Sequence, residues 1–370
     1  MADGNGNLYG TTASGGPYNV GTVFKLTPPA QPGSKWTKTL FYGFKKTSDG
    51  NYPNGSNPYA GLIVDGEGNL YGTTGGGGAF SEGTVFKLAP DGTETVLYSF
   101  KGWRNGDGQL PLAGLTIDSE GNLYGTTEMG GYLVNGIGCN CGTVFKIAPD
   151  GTYTILHSFA GGSDGTYPQA GVLVDLAGNV YGTTVQGGSA KQCITGTTGC
   201  GIVYKLAADG TETILHAFRG HADGGNPYSG LIADKSGNLY GTTRTGSDVT
   251  AGGTVFELAP DGTEKTLHAF SPKNNFASGD EPFTGLVADE AGNMFGTTAI
   301  GGTGGLGVVY EITPDGKETV LKSFNGGRGG GNLHAEVFIE NGHLFGDADE
   351  GGRTNDCNGQ GCGLVFMLDK

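Results

Sequence analysis

The chain has 370 residues, 76 of them glycine, and carries 36 Asp and Glu against 21 Lys and Arg for a formal charge of -15. That charge repels phosphate backbones and anionic lipid, and no basic cluster exceeds a few residues, so nucleic acid is excluded as a partner. No apolar run approaches the roughly 18 residues of a membrane span, which excludes insertion by a helix.

The glycines follow no Gly-X-Y period and sit beside Val, Leu, Tyr and Phe in alternating runs, the pattern of strands and turns rather than of collagen or disorder. The chain opens on MADGNGNLYGTT, and the motif Gly-Asn-hydrophobic-aromatic-Gly-Thr-Thr then recurs. Its Asn falls at Asn7, Asn69, Asn122, Asn179, Asn238 and Asn293, and a decayed seventh copy, GHLFGDA, has His343 in that place. Spacings of 62, 53, 57, 59, 55 and 50 residues, with no helical pattern between, indicate a radial or solenoidal β array. A motif repeated in every unit is architecture rather than chemistry. With no linker interrupting the repeats, residues 1–370 read as one closed domain.

The third repeat, residues 112 to 159, shows the content of one unit. Four short strands are predicted: a from Gly114 to Asp118, b from Asn122 to Thr127, c from Thr143 to Ile147 and d from Tyr153 to Phe159. Asp118-x-x-Gly121-Asn122 and Pro149-Asp150-Gly151-Thr152 supply the Asp, Asn and Gly residues that tight antiparallel reversals need. Length varies only in the Gly-rich b-to-c loop and in the d-to-a loop with its Asp-Gly-x-x-Pro core, as in Asp107 to Pro111 and Asp164 to Pro168.

Four antiparallel strands with the longest connection between units predict an all-β, seven-bladed propeller. Strand a, with glycine and small residues, suits the crowded axis. Strand d, ending in Phe44, Phe100, Phe159, Phe218, Phe270 and Phe324, suits the rim, where diverging blades must be filled by wide side chains. The terminal blades are incomplete: the first lacks most of strand a, and the last stops at a strand c, GLVFMLDK. Either the ring closes imperfectly or the chain is a piece of a longer one. No leader precedes the first repeat, so an exported protein would already have lost it.

The pattern G-L-x-x-D-x-x-G-N-L-Y-G-T-T, then G-T-V-F-K-L-x-P-D-G-T, resembles the tandem GloVer repeat of bacterial extracellular proteins, and the resemblance covers essentially the whole chain. It implies a propeller-like fold and an exported or cell-surface location, and it brings no established activity. The C-terminal anchoring signal often found in such proteins is absent from this sequence.

Cys141, Cys200 and Cys362 stand just before strand c, and Cys139, Cys193 and Cys357 lie upstream in the same b-to-c loops. Pairing within each loop would staple three Gly-rich excursions, and such disulfides persist in oxidising compartments, which argues independently for export. Three pairs on different blades cannot converge on one tetrahedral ion. The one-residue spacer of Cys139-Asn140-Cys141 closes a strained ring and argues against that pair.

The d-to-a and b-to-c loops emerge on one face, which is where a site belongs. Asp49, Asp107, Asp164, Asp223 and Asp280 are expected to ring it, each bonding its own turn. Asp107, Asp164 and Asp223 are the acids that would take calcium, and no other cofactor is expected. His157, His216 and His268 share the strand-d slot of Tyr42, Tyr98 and Lys322 and lie on separate blades, so they do not converge.

An asymmetric ligand requires residues that break the repeat. Strand a of the last repeat begins His334-Ala335-Glu336 where the others carry Gly in the third place, and its strand b ends Gly346-Asp347-Ala348-Asp349-Glu350 in place of Gly-Thr-Thr. Trp103, Arg104, Glu128, Arg219, His221, Arg244, Arg328 and Arg353 are further departures in the loops. Glu336 and Asp349, with His334, have the chemistry of an acid/base set, while Trp103, Arg104, Glu128, His221, Arg244, Asp347 and Arg353 have that of ligand contacts. The competing explanation is decay, because terminal repeats are commonly atypical.

Three readings follow. The first is an exported or surface-bound monomeric binding or scaffold module recognising carbohydrate or another cell-surface protein. The second is a carbohydrate-active enzyme, a polysaccharide lyase or glycoside hydrolase, working at the mouth of the central channel. The third is a structural array that self-associates.

Overall fold

The motif Gly68-Asn69-Leu70-Tyr71-Gly72-Thr73-Thr74 shows why each strand pair forms. In the computed structural model, which describes residues 1–31, 34–131, 139–190, 193, 198–246, 252–271, 277–352 and 362–370, Asp65 organises the a-to-b turn. Its Oδ1 accepts the backbone N–H groups of Glu67 and Asn69, both at 2.9 Å, and its Oδ2 accepts Asn69 Nδ2 at 2.7 Å and the Tyr71 hydroxyl at 2.9 Å. Asp3, Asp118 and Asp234 make the same set of bonds. One carboxylate thus satisfies four donors of a tight reversal.

The motif glycine is required by packing. A β-carbon at Gly72 would lie 2.7 Å from both Phe86 Cζ and Leu62 Cδ2, and at Gly125 it would lie 2.6 Å from Phe145 Cζ. The tip of the strand-c aromatic ring therefore lies against the strand-b glycine. The second threonine ties strand b to strand c, as in Thr74 Oγ1···Thr84 Oγ1 at 2.8 Å and Thr127 Oγ1···Thr143 Oγ1 at 2.7 Å. The first reaches the following blade: Thr73 donates to the Ala113 carbonyl at 2.9 Å, Thr126 to Ala170 at 2.8 Å, Thr183 to Ser229 at 2.9 Å and Thr242 to Thr284 at 3.0 Å.

These units build an all-β, seven-bladed propeller of antiparallel blades. Blades 2 to 6 have four strands in the order a-b-c-d. Blade 2 comprises Ile63–Val64, Leu70–Thr74, Thr84–Leu88 and Glu94–Ser99; blade 3 comprises Thr116–Ile117, Leu123–Thr127, Thr143–Ile147 and Tyr153–Ser158. Blade 4 comprises Leu173–Val174, Val180–Thr184, Ile202–Leu206 and Glu212–Ala217; blade 5 comprises Ile232–Ala233, Leu239–Thr243, Thr254–Leu258 and Glu264–Ala269. Blade 6 comprises Val287–Ala288, Met294–Thr298, Val308–Ile312 and Glu318–Ser323.

The terminal blades have three strands, as the sequence predicts: Leu8–Thr12, Thr22–Thr27 and Thr37–Gly43 in blade 1, and Phe338–Glu340, His343–Ala348 and Leu364–Asp369 in blade 7. A stub of strand a survives in blade 1, where Ala2 bridges Leu8 and Met1 exchanges backbone bonds with Tyr9. In blade 7 the a-to-b reversal contracts to Asn341-Gly342 at φ 50° and 79°, a two-residue turn that needs no Asp.

Two compact units are distinguishable, Met1–Gly161 with Thr166–Val180 and Leu206–Thr211, and Gly162–Gly165 with Tyr181–Lys205 and Glu212–Lys370. In each, the core lies between successive blades. The phenylalanine ending strand d meets the strand-c ring of the next blade edge to face, with centroids 5.3 Å apart for Phe44 and Phe86, 5.2 Å for Phe100 and Phe145, and 5.2 Å for Phe218 and Phe256. Phe44, Phe100, Phe218 and Phe270 are fully buried, as the wide-filler reading requires.

Two expectations are corrected. Cys139 and Cys141 are bonded despite the single intervening residue, because Asn140 at φ 54° turns the chain back and sets the Cα atoms 5.1 Å apart. Cys193 pairs with Cys200, and Cys362 is also disulfide-bonded; Cys357 lies outside the described residues. Nor do the five loop acids share one position. Counted back from the loop proline, the slot of Asp107, Asp164 and Asp223 is held by Asn54 and Ser278 in the other two loops. Asp49 bonds Asn51 in its own exposed turn, and Asp280 bridges to Ile300 by its backbone.

Gly125→Ala is expected to destabilise the fold by about 1–3 kcal/mol through overpacking against Phe145 and Leu115. Thr126→Val should cost about 1–3 kcal/mol by stranding the buried Ala170 carbonyl. Chemical denaturation measures both, and an unchanged midpoint in either would refute the role given to that residue.

Candidate functional site

A backbone rule of the repeat brings the loops together. The residue before the loop proline adopts the left-handed region in every repeat: Asn57 at φ 57°, Leu110 at 56°, Tyr167 at 59°, Asn226 at 53°, Glu281 at 53°, and Asn332, which precedes Leu333, at 55°. Its carbonyl accepts the N–H of the residue following the Gly-Thr-Thr motif or its counterpart, as in Arg244 to Asn226 at 3.1 Å and Asp349 to Asn332 at 3.2 Å. The d-to-a loops of Asn57, Leu110, Asn226, Glu281 and Asn332 are thereby latched to b-to-c loops. Three side-chain slots result: before the proline, after it, and after the threonines.

In the second unit these slots carry chemistry. Tyr228, Phe283 and His334 occupy the slot after the proline position, with Tyr228 and Phe283 ring centroids 5.2 Å apart and Phe283 and His334 5.5 Å apart, both near edge to face. The Arg244 guanidinium lies 4.5 Å over Phe283 and 5.6 Å from Tyr228. Its Nη2 reaches both carboxylate oxygens of Glu281 at 3.3 Å, while its Nε is buried without a hydrogen-bond partner. At the other end His334 Nδ1 meets Asp349 Oδ2 at 2.7 Å, with both side chains about half exposed.

The arrangement is a shelf of aromatic rings flanked by two ion pairs. Glu281 shares its positive φ with Leu110 and Tyr167 in the same slot, so the backbone there admits any side chain and leaves the Glu281 carboxylate free to hold Arg244.

Of the residues predicted from sequence, Arg244, His334 and Asp349 come together here. Asp349 holds the His334 imidazole above its ordinary pKa by hydrogen bonding, against a smaller opposing effect of burial. Asp347 is half-buried, and burial, reinforced by the charge of Asp349, pushes its carboxyl up to about 6. Glu336 takes the place of the strand-a glycine, and its Oε1 accepts the Gly285 N–H at 3.2 Å from across the blade boundary. Solvent still reaches Glu336, but the surrounding protein raises its pKa by desolvation, partly offset by that bond.

The other predicted residues lie elsewhere. Trp103 and Arg104 stack on each other in a one-turn 3₁₀ segment and line a pocket of about 370 Å³ with Phe80, Glu82 and Lys101 in the first unit. Glu128 accepts Gln169 Nε2 at 2.6 Å in the same unit. Asp107 is buried and saturated by the Tyr98 and Tyr153 hydroxyls and the N–H groups of Lys101 and Gly108, at 2.8 to 2.9 Å. Asp164 ends the 3₁₀ turn Gly162–Asp164, and His221 and Asp223 bound the next, His221–Asp223. Arg353 lies outside the described residues. Tyr228, Glu281 and Phe283 were missed; an alignment of the loops on their proline would have shown an aromatic pair flanking Arg244.

Fold and site together define a class, a tandem-repeat β-propeller whose framework is common to all blades and whose distinctive side chains gather on one stretch of the loop face. The chain belongs to the Gloeobacter/Verrucomicrobia repeat family, whose profile matches residues 1–195 and 135–366. No curated protein matches the sequence. Among solved structures, a candidate 6-phosphogluconolactonase from Bacteroides uniformis is 13% identical, with 98% of each chain covered and a TM-score of 0.55. PorZ, a surface component of the type-IX secretion system of Porphyromonas gingivalis, is 14% identical over all of this chain and 46% of its own, with a TM-score of 0.54. A gluconolactonase from Xanthomonas campestris is 15% identical over 82% of each chain, with a TM-score of 0.46. At these identities the likeness concerns the fold alone.

Because the pKa of His334 is raised by folding, its pairing adds stability below the unfolded value near 6.5, and this is lost as pH rises through the folded value. Asp349→Asn is expected to move the His334 titration down toward that ordinary value, followed by NMR of the imidazole; an unmoved titration would disprove the pairing.

Proposed function

We propose that the protein is an exported carbohydrate-binding module whose ligand lies on the aromatic shelf of Tyr228 and Phe283. The observation that carries this reading is the placement of Arg244 and His334 against those rings, each fixed by its own carboxylate. A sugar ring presents an apolar C–H face and a rim of hydroxyls, which such a shelf matches with aromatic surface and preset donors and acceptors. Both cations are already paired, which favours a neutral saccharide over a polyanion. The intra-loop disulfides and the repeat family support export.

A second reading rests on Asp347 and Glu336. Carboxyls whose pKa is raised toward neutrality suit general acids, so a glycoside hydrolase or polysaccharide lyase is the alternative. A glycan panel with the wild type, Phe283→Ala, Glu336→Gln and Asp347→Asn separates the two. Saturable binding that weakens at least about tenfold in Phe283→Ala and persists in the carboxylate variants is expected, together with no cleavage products. Products that disappear in Glu336→Gln or Asp347→Asn would establish the enzyme instead, and absence of saturable binding to any saccharide would end the carbohydrate reading.

A further inference from the structure

The pocket of the first unit lies between two loops, and one of them departs from the repeat in length. Pro111 is the eleventh residue after Phe100, whereas Pro168 and Pro227 are the ninth after Phe159 and Phe218. The extra length falls ahead of the anchoring acid. Asp164 and Asp223 end the 3₁₀ turns Gly162–Asp164 and His221–Asp223, but here the turn is Trp103–Asn105 and Asp107 lies beyond it. Asp107 still holds the base of the loop, where it accepts the Lys101 N–H at 2.8 Å, and the Gly102 N–H reaches the Gly108 carbonyl at 3.1 Å. The turn itself is closed by the Gly106 N–H on the Trp103 carbonyl at 2.9 Å and the Trp103 N–H on Gln109 Oε1 at 3.3 Å. Trp103 and Arg104 are thus presented on a preset backbone.

The other wall is the b-to-c loop of blade 2, with Phe80 and Glu82. It too is fixed: Gly77 and Glu82 bridge, and Ser81, at φ 65°, donates its N–H to the Gly78 carbonyl at 3.4 Å. A β-carbon at Gly102 would lie 3.0 Å from Glu82 Oε1, so this carboxylate rests against the facing loop. Phe80 is 50% exposed and Trp103 37%, which leaves ring surface open to the pocket. Among the described residues, Lys101 and Arg104 have no carboxylate partner and the Glu82 carboxylate accepts no hydrogen bond. The shelf of the second unit differs, because both of its cations are paired.

We infer that this pocket is a second ligand site and that its ligand is an acidic sugar, the uronate unit of a polysaccharide. Three demands meet in it: an apolar face for the exposed rings, a negative group for two unpaired cations, and hydroxyl donors for Glu82. Phosphate meets only the second. The aromatic carboxylate of a peptide end lacks the hydroxyls, and a neutral sugar leaves both cations unmatched. A uronate meets all three. The inference takes the saccharide class from the carbohydrate reading of the shelf but rests on different residues, so either can fail alone.

The test is calorimetry of the full chain with a galacturonate trimer and with its methyl ester, which keeps the rings and removes the charge. The trimer is expected to saturate one site, and the ester to bind at least about tenfold more weakly. Trp103→Ala should weaken the trimer at least about tenfold without lowering the melting temperature, because the ring is exposed. The double variant Lys101→Gln with Arg104→Gln should bring trimer and ester to similar affinities. Phe283→Ala should leave trimer binding unchanged, which separates this site from the shelf. In Trp36→Phe, where Trp103 is the single remaining tryptophan, the trimer should shift the emission. No saturable binding at millimolar trimer, equal affinity for the ester, indifference to Trp103→Ala, or equally tight binding of N-acetylphenylalanine would overturn the assignment.

Discussion

One hydroxyl in each of the first six repeats sets the geometry on which the rest depends. The first threonine of each motif is buried or nearly so and donates to a carbonyl at the start of the next blade, 38 to 49 residues along the chain. A buried donor left unmade costs about 1–3 kcal/mol, so each blade is held to one separation and one height relative to its successor. The edge-to-face phenylalanine contacts then fill a gap whose width the threonine has fixed. The motif glycine follows from the same constraint, because a strand-c ring fits between strands only where strand b has no side chain.

A framework repeated this closely leaves a few positions free to vary. The left-handed residue before the proline, its neighbour after the proline and the residue after the threonines keep their backbone geometry whatever side chain they carry. In the first unit these slots include Tyr59, Leu112, Glu128 and Gln169; in the second they hold Tyr228, Arg244, Glu281, Phe283, His334 and Asp349. Recognition can therefore change by substitution alone, on strands whose packing is indifferent to it.

Much of this was legible in the sequence because the signals are local. The limits of strands b, c and d, the incomplete terminal blades and the buried phenylalanines follow from a period near fifty residues and from turn chemistry confined to five consecutive positions, whereas strand a, predicted from Gly114 to Asp118, is only Thr116–Ile117. Departures from the repeat also pointed to Arg244, His334 and Asp349, which meet. Partners were not legible. Arg244 and Glu281 are 37 residues apart, and Tyr153 and Asp107 46 apart, joined only by the way blades stack. Tyr228 and Phe283 escaped notice because Tyr59 makes an aromatic in that slot look like part of the pattern. Asp49 and Asp280 were misplaced because the loops align on their proline, not on their acid.

Repeats also act as internal substitutions that expose what each contact does. In blades 1 to 3 the strand-b tyrosine lies beneath the strand-c lysine, with the ammonium 5.4 to 5.6 Å from the ring. In blade 6 both partners change, to Phe295 and Glu311, so Asp289 loses the tyrosine hydroxyl and the ring loses its cation. Lys370 restores both at once: its Nζ lies 2.5 Å from Asp289 Oδ2 and 5.3 Å from the Phe295 ring. In blade 6 the anion of the turn and the ring of strand b are thus satisfied together by one cation from another blade. A residue distant in sequence takes the place of the lost local pair there, and blade 7 is thereby bound to blade 6 by Lys370.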